Sequence, residues 1–184
     1  MTRRAPPPAD FDHRWLDRLN TRFRMVFDTH TLGAGLPLVR VAAFLDACEH
    51  DYGASATDVR PVITMHAPAY IGLNDAAWAR YTIGPRDPAT KQPYGRNIFA
   101  SERPDDPYAT IAVPVLQRRG AIFLFCNNVL KSLVSSYARR LNQPADAVRA
   151  DLIASFLPGV VLVPAAVAAT AMAQERGCAY TVIR

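Results

Sequence analysis

Residues 120–128 read GAIFLFCNN, and the apolar run 121–125 lacks the alternation of a half-exposed strand. An unbroken run of this length is typical of a strand buried on both faces, as in the middle of a parallel sheet. The run ends at Cys126, and Asn127 and Asn128 then precede a segment with helical apolar spacing. Either asparagine is a good N-cap, because its short side chain can accept a hydrogen bond from a first-turn amide. The stretch predicts a central strand, a helix and Cys126 at their junction.

Cys126 is the candidate for chemistry in this stretch. In open α/β sheets, ligands bind in the crevice outside the carboxyl ends of the strands. A helix N-terminus also stabilises a thiolate, which is the reactive form of cysteine. A cysteine that ends an apolar strand can instead be a buried and unreactive side chain. If the chain carries out a reaction, we expect Cys126 to carry it.

The composition indicates a single globular domain: 184 residues, of which 50% are apolar and 20% charged. The net charge of +5 comes mainly from scattered arginines, without the basic and aromatic stripe of a nucleic-acid-binding face. No segment approaches the roughly 20 apolar residues of a membrane helix. Cys48, Cys126 and Cys178 form no CxxC pair, which favours reduced thiols. We expect a cytoplasmic protein that binds neither nucleic acid nor membranes.

Strand-like and helix-like segments alternate along the chain. Strands are predicted at 22–28, 59–66, 120–126, 160–163 and 179–183. Helices are predicted at 12–20, 36–50, 70–81, 108–119, 128–141, 143–157 and 165–176. This order predicts an α/β fold in which a parallel sheet of five strands has helices on both faces.

Two segments fall outside this alternation. Residues 1–21 are predicted to be an N-terminal extension, disordered or surface-bound over its first ten residues, to a single domain at 22–184. An insertion at about 82–108 contains five prolines and no periodic pattern. Loops of this length are usually functional or disordered. Apolar residues such as Ile98 and Phe99 favour an ordered lid, or an arm that contacts another subunit.

The predicted strands bring several polar or reactive residues to one edge of the sheet, since the carboxyl ends of parallel strands share an edge. These residues are Asp28, Thr29, His30, His66, Cys126, Asn127 and Pro164. We expect a substrate to contact four of them: Asp28, His30, Asn127 and Pro164. His66 can exchange protons near neutral pH, or can simply bond a loop carbonyl. Asp28 can act as a base or cap the next turn, and His30 can point outwards.

Three side chains at this edge, those of His30, His66 and Cys126, are of types that bind zinc or copper, and Asp28 could join them. Neither HxH nor HExxH spacing occurs, so no metal and no other cofactor is predicted. The chain also lacks a GxSxG elbow, a Walker loop and a GxGxxG motif after the first strand. These absences argue against a serine hydrolase and a nucleotide-binding enzyme.

In the C-terminal half, a predicted strand ends in a V-P-x-x-V motif and leads into a helix with a glutamine, then a glycine and a last aromatic strand. The residues of this pattern are Val163, Pro164, Val167, Gln174, Gly177 and Tyr180. The pattern resembles that of the DsrE-like (YchN-like) family. His66 matches the histidine that many members carry at the end of the second strand. The resemblance covers roughly 23–81 and 109–184 and is strongest after 120.

The resemblance implies a three-layer α/β/α fold with strand order 4-3-2-1-5 and assembly into homotrimers or homohexamers. Family members with assigned roles belong to sulfur relays, in which a cysteine carries a persulfide between partner proteins. Cys126 lies where many members carry a cysteine, so it would accept sulfane sulfur as a sulfurtransferase-like carrier, with His66 assisting. The alternative is a non-catalytic oligomeric protein that binds a small ligand, or a metal ion, in the crevice. In that case Cys126 is structural.

Overall fold

A five-stranded sheet, parallel throughout, forms the centre of the structure, a computed structural model that describes residues 11–184. Its strands are β1 (Phe23–Thr29), β2 (Val59–Met65), β3 (Ile122–Cys126), β4 (Val161–Val163) and β5 (Ala179–Ile183). They are ordered β4-β3-β2-β1-β5, and every neighbouring pair is parallel. The predicted α/β fold class is confirmed, and the strand order is the one that the family resemblance implies.

Helices cover both faces of the sheet and complete three layers. The α-helices are α1 (Leu36–Asp46), α2 (Asp75–Tyr81), α3 (Val113–Arg118), α4 (Asn127–Leu141), α5 (Ala145–Ala154) and α6 (Ala166–Glu175). Short 3-10 helices lie at Arg14–Leu19, Ala67–Gly72 and Ala109–Ile111, and a π-helical turn follows α1 at Ala47–Asp51. Within the described residues, no helix is long and apolar enough to cross a bilayer.

Alternate strand residues face two separate cores. The smaller core lies under α6 and the first 3-10 helix and contains the strand residues Val26, Val62, Ile122, Leu124 and Val163. The larger core lies under the other α-helices and contains the strand residues Phe27, Val59, Ile63, Met65, Phe123, Phe125 and Ile183. β3 contributes to both cores because all of its residues are buried. The prediction of a central strand from its unbroken apolar run is therefore confirmed.

The first 3-10 helix packs directly on the sheet. Its apolar residues Trp15, Leu16 and Leu19 are buried in the smaller core. Burying a large apolar side chain contributes about 1.5–3 kcal/mol, so these contacts fix the start of the described chain to the domain. The disorder predicted for residues 1–10 concerns a segment outside the described residues.

The helix predicted at 70–81 is wrong as a continuous element. Leu73 has an extended backbone, with φ −105° and ψ 151°, and separates a 3-10 helix from α2. Asn74 then starts α2 as an N-cap, because its side chain accepts a hydrogen bond from the Ala77 amide at 2.9 Å. The apolar spacing on either side of Leu73 suits one helix, but the cap starts a new one.

The helix predicted at 108–119 is also divided, into a 3-10 turn and α3. Pro114 lies in the first turn of α3. A proline is tolerated there because the amide that it lacks would have no partner inside the helix. The proline thus marks the start of α3 and does not kink a longer helix.

The 82–108 segment is ordered although it contains no α-helix or named strand. Ile98 and Phe99 are buried in the larger core. Asn97, in this segment, has a fully buried side chain. It donates hydrogen bonds to two carbonyls before α2, those of Ile71 at 2.8 Å and Leu73 at 2.6 Å. A buried amide satisfied in this way ties the segment to the domain. Its predicted role as a lid or an oligomer contact stays a prediction.

Candidate functional site

The carboxyl edge of the sheet brings together most of the predicted site residues. Asp28 lies near the end of β1, and His30 follows that strand. His66 directly follows β2. Ligand atoms of Asp28, His30 and His66 all lie within 4.8 Å of one another. His66 and Cys126 line one open cavity of about 290 Å³, so the cavity adjoins the Asp28–His30–His66 cluster.

Asp28 is the centre of the cluster and is only 7% exposed. Its Oδ1 accepts a hydrogen bond from the Thr64 hydroxyl at 2.7 Å and lies 2.8 Å from Nε2 of His66. Its Oδ2 accepts one from the Tyr180 hydroxyl at 2.9 Å and lies 3.1 Å from Nε2 of His30. Within residues 11–184, no lysine or arginine forms an ion pair with this carboxylate. Asp28 therefore organises the two histidines and does not cap a turn.

The surroundings of Asp28 keep it ionised. Burial acts to raise the pKa of Asp28, but hydrogen bonds from Thr64, Tyr180 and His30, together with the nearby His66, outweigh burial and hold that pKa below its ordinary value. The hydrogen bond to Asp28, followed by burial, raises the pKa of Tyr180. At neutral pH the cluster thus contains a carboxylate and a protonated phenol that donates to it.

The two histidines stack face to face over this carboxylate. Their ring centroids are 4.4 Å apart, and the rings are inclined by only 12°. Because an ionised carboxylate can only accept, each Nε2 carries a hydrogen, and Nδ1 is the acceptor of the neutral ring. The His30 side chain is 46% exposed and that of His66 is 19% exposed. His30 is therefore the more accessible member, and it points towards Asp28.

Cys126 lies at the starts of two helices. It occupies the N-cap position of α4, with φ −73° and ψ 121°. Its Sγ accepts a hydrogen bond from the backbone amide of Ala166, in the first turn of α6, at 3.4 Å. The N-terminal ends of helices carry partial positive charge, which favours a thiolate. The N-cap predicted at Asn127 or Asn128 is wrong, and the amide that reaches the sulfur belongs to α6.

Cys126 is 4% exposed and is one of the residues that line the cavity. The other lining residues are His66, Asn128, Val129, Ser132, Ala165, Ala166 and Val167. The volume is near the lower end of ligand pockets, which range over about 300–1,000 Å³, so only a small molecule or a chain end would fit. Within the described chain, no hydrogen bond directly joins the thiol to the His66 ring.

None of the four predicted substrate contacts lines this cavity. Asp28 and His30 belong to the cluster with His66, which does line it. The Asn127 side chain is buried, and its Oδ1 accepts a hydrogen bond from Arg149 of α5 at 3.0 Å. Pro164 is exposed in the connection between β4 and α6. The structure thus groups Asp28 and His30 with His66, and His66 with Cys126, but places Asn127 and Pro164 in neither group.

Two residues of the cluster were missed by sequence reasoning, Thr64 and Tyr180. Thr64 is the direct register partner of Asp28 across β1 and β2. It also precedes His66 by two residues, and side chains two positions apart in a strand share a face. That spacing could have identified Thr64 as a site residue from the sequence. Tyr180 can be identified as a partner of Asp28 only once β5 is known to pair with β1.

A larger cavity of about 510 Å³ lies between α1 and the edge strand β5. Its charged lining residues are Arg40 and Arg184, and the rest of its lining is mostly apolar. It contains no cysteine, histidine or carboxylate. The smaller cavity beside Cys126 is therefore the better candidate for chemistry, despite its size.

Comparisons with known proteins give little similarity. No family model matches the chain, and no curated protein matches it significantly. Among solved structures, the chain is similar to MTH1491, a protein of unknown function from Methanobacterium thermoautotrophicum. The TM-score is 0.46 and the identity 17%, over 88% of this chain and 99% of that one. Similarity at this level supports no argument about function.

Proposed function

We propose that the protein handles or relays sulfane sulfur, with Cys126 as the thiol that carries it as a persulfide. The observation that carries this proposal is the placement of the Cys126 sulfur. Cys126 lines an open cavity that His66 also lines, and its sulfur accepts an amide hydrogen bond from Ala166. The resemblance of the sequence to DsrE-like proteins supports the same function.

The transfer needs only groups that lie at this edge of the sheet. The Cys126 thiolate attacks the outer sulfur of a donor persulfide, R–S–SH. The new S–S bond joins Cys126 to that sulfur, the S–S bond of the donor breaks, and the donor leaves as the thiol after taking up a proton. The sulfane sulfur keeps its oxidation state, so no external oxidant or reductant is required. An acceptor thiolate then attacks the carried sulfur and regenerates Cys126.

His66 assists this step by carrying a proton, and Asp28 assists by orienting the His66 ring. The Asp28 carboxylate holds Nε2 of His66, so Nδ1 is the free acceptor of the neutral ring. His66 takes up the thiol proton in the shared cavity and returns it to the leaving group. The Ala166 amide stabilises the sulfur while it carries negative charge. His66 is thus the proton carrier and Asp28 its positioning residue.

A non-catalytic binding protein is the second candidate. The observation that favours it is the burial of Cys126, since only 4% of the residue is exposed. In that case the cavity holds a small ligand, and the thiol packs without reacting. The two functions differ in whether the native thiol acquires sulfur.

The test is mass spectrometry of the native protein after incubation with inorganic polysulfide. We expect the mass of one sulfur atom to be added to the peptide that contains Cys126, and dithiothreitol to remove it. Cys126→Ser should acquire none, whereas the matched control Cys178→Ser should load like the wild type. Unloaded wild-type protein, or sulfur found on Cys48 or Cys178, would contradict the proposal.

A further inference from the structure

We propose that Asp28, His30 and His66 form a binding site for one divalent transition-metal ion of the zinc class. The three residues offer two imidazole nitrogens and one carboxylate oxygen, all within 4.8 Å of one another. Two histidines and one carboxylate form a three-ligand zinc set that leaves a fourth position open for a small molecule. This inference does not depend on the proposed sulfur chemistry, which requires the metal-free form because a metal-bound His66 carries its hydrogen on Nδ1.

The distances in the cluster lie near those of a metal site. Nε2 of His66 lies 2.8 Å from Oδ1 of Asp28, and Nε2 of His30 lies 3.1 Å from Oδ2. Ligand atoms around tetrahedral zinc lie about 3.3 Å apart, because bonds of about 2.0–2.1 Å meet at tetrahedral angles. With one Asp28 oxygen as the ligand, its own histidine contact opens by a few tenths of an ångström, and the other two pairs, which lie within 4.8 Å, adjust to the same spacing.

The charge of the cluster also favours a cation. Two acidic residues are buried in the described chain, Asp28 and Asp106. Asp106 is neutralised by an ion pair with Arg96. Asp28 is ionised but has only hydroxyls and the two histidines as partners. A buried carboxylate that lacks a fixed cation is stabilised by a metal ion at the same place.

The groups behind Asp28 form the outer support of such a site. Thr64 and Tyr180 donate to the carboxylate, and Thr29 in turn donates to the Thr64 carbonyl at 2.8 Å. A carboxylate has about four acceptor positions, of which these hydroxyls use two. The ion would replace only the two histidine hydrogen bonds. Hydrogen-bonded carboxylate ligands of this kind are typical of metal sites.

Loading the ion requires a change at His30. Both imidazoles bind through Nε2, so the hydrogen of each ring moves to Nδ1, and neither ring changes charge. The rings are inclined by only 12°, so one must tilt before the two lone pairs converge on a single ion. His30, with a side chain 46% exposed, has the freedom to tilt, whereas His66 is more enclosed. His30 is thus the ligand that closes the site.

Calorimetric titration of chelator-treated protein with Zn²⁺ tests the site. We expect one ion per chain, and a melting temperature that rises with Zn²⁺ because the ion binds the native state. His30→Ala should weaken binding at least about tenfold, since even the loss of an outer-shell partner costs 10–100-fold. Its exposed position should leave folding intact, which the melting curve without metal verifies. His66→Ala should weaken binding similarly.

Two control variants separate this site from other metal binding. His50→Ala removes an exposed histidine elsewhere and should bind Zn²⁺ like the wild type. Cys126→Ser should also bind like the wild type, and the Co²⁺ complex should show no thiolate-to-metal charge-transfer band. An absence of Zn²⁺ binding, wild-type affinity in His30→Ala, or a loss of binding in Cys126→Ser would overturn the proposal.

Discussion

Cys126 and Cys178 lie at opposite edges of the sheet and are almost equally buried, with 4% and 7% of each residue exposed. Cys178 precedes β5 at the amino edge and packs in the smaller core, where burial raises its thiol pKa despite the nearby Arg24. Cys126 ends β3 at the carboxyl edge, where its sulfur accepts an amide hydrogen bond and the residue lines a cavity. The contrast teaches that two equally buried cysteines can have different chemical surroundings, set by the end of the parallel strands at which each lies. Our proposal predicts that only Cys126 reacts.

The two buried aspartates, Asp28 and Asp106, also differ in the charged groups around them. Asp106 belongs to the 82–108 segment, and Arg96 and Ser101 satisfy it. That pairing is structural, because it joins parts of one ordered segment. Asp28 instead positions two histidines beside the cavity. We therefore expect changes at the carboxyl edge to alter chemistry as well as stability, and changes elsewhere to alter stability alone.

The largest effect is expected from exchanging the two cysteines for serine, one at a time. Cys126→Ser should lose all capacity to take up sulfane sulfur, because the accepting thiol is gone. Cys178→Ser should keep it, since that sulfur packs in a core. Sulfur bound per chain, measured by cold cyanolysis, distinguishes the two variants. If Cys126→Ser still bound sulfane sulfur, the proposed chemical difference between Cys126 and Cys178 would be contradicted.

The next largest effect is expected from replacing Asp28 and Asp106 by asparagine, one at a time. Asp28→Asn should slow sulfur loading by about 10–100-fold, because a charge-assisted hydrogen bond to His66 is worth about 1.5–3 kcal/mol. Asp106→Asn should leave the loading rate unchanged but lower the free energy of unfolding by up to about 3 kcal/mol, since Arg96 loses its buried charged partner and keeps only the exposed Asp105. Loading kinetics and urea unfolding of both variants check this. Equal loading rates would show that Asp28 is structural too.

Asp28 and Cys178 should make the free energy of unfolding depend on pH in opposite directions. The pKa of Asp28 is lowered in the folded state, so its contribution is present above an unfolded pKa of about 3.9. It is lost as the pH falls through the folded value. The pKa of Cys178 is raised, so its contribution is present below about pH 8.5 and is lost as the pH rises.

Urea unfolding across this pH range measures both contributions. Asp28→Asn should flatten the acid side of the profile and leave intact the alkaline loss that comes from Cys178. Cys178→Ser should reduce the alkaline loss and leave the acid side intact. An Asp28→Asn protein with an unchanged acid side, or a Cys178→Ser protein with an unchanged alkaline side, would contradict the assignment of these two parts of the profile.

The smallest effect is expected for Tyr180→Phe. It removes one hydrogen bond to Asp28 and should lower the free energy of unfolding by about 1 kcal/mol at neutral pH. The pKa of Asp28 should rise, because a donor to its ionised form is gone. Tyr52→Phe, at an exposed tyrosine, is the matched control and should change neither quantity.

Most of the fold was predictable from local patterns. The apolar run before Cys126 identified the central strand, and the alternation of segments indicated the parallel sheet. The break at Leu73 was not predictable from periodicity, because the same apolar spacing continues on both sides of it. The choice of Cys126 over Asn127 as N-cap depends on backbone angles that the residue types do not reveal.

The candidate site was predictable only in part, for a similar reason. Asp28, His66 and Cys126 end or follow strands, so their common edge follows from a parallel sheet. The hydrogen bond from Ala166 to the sulfur depends on where α6 begins relative to β3, which spacing along the chain does not report. Asn127 was expected at the site, but its side chain bonds Arg149 across α4 and α5. Metal spacing rules could not single out Asp28, His30 and His66, because these residues lie at the ends of two strands and not on one helix.

The most direct test of the account is the rate at which each cysteine of the native protein reacts with iodoacetamide, followed by peptide mass spectrometry. Cys126 should be alkylated at least about tenfold faster than Cys48 and Cys178, because it lines a cavity that admits the reagent and the other two cysteines are packed in the cores. In denaturant, all three should react at similar rates. Equal protection of the three cysteines in the native protein would contradict the central claim.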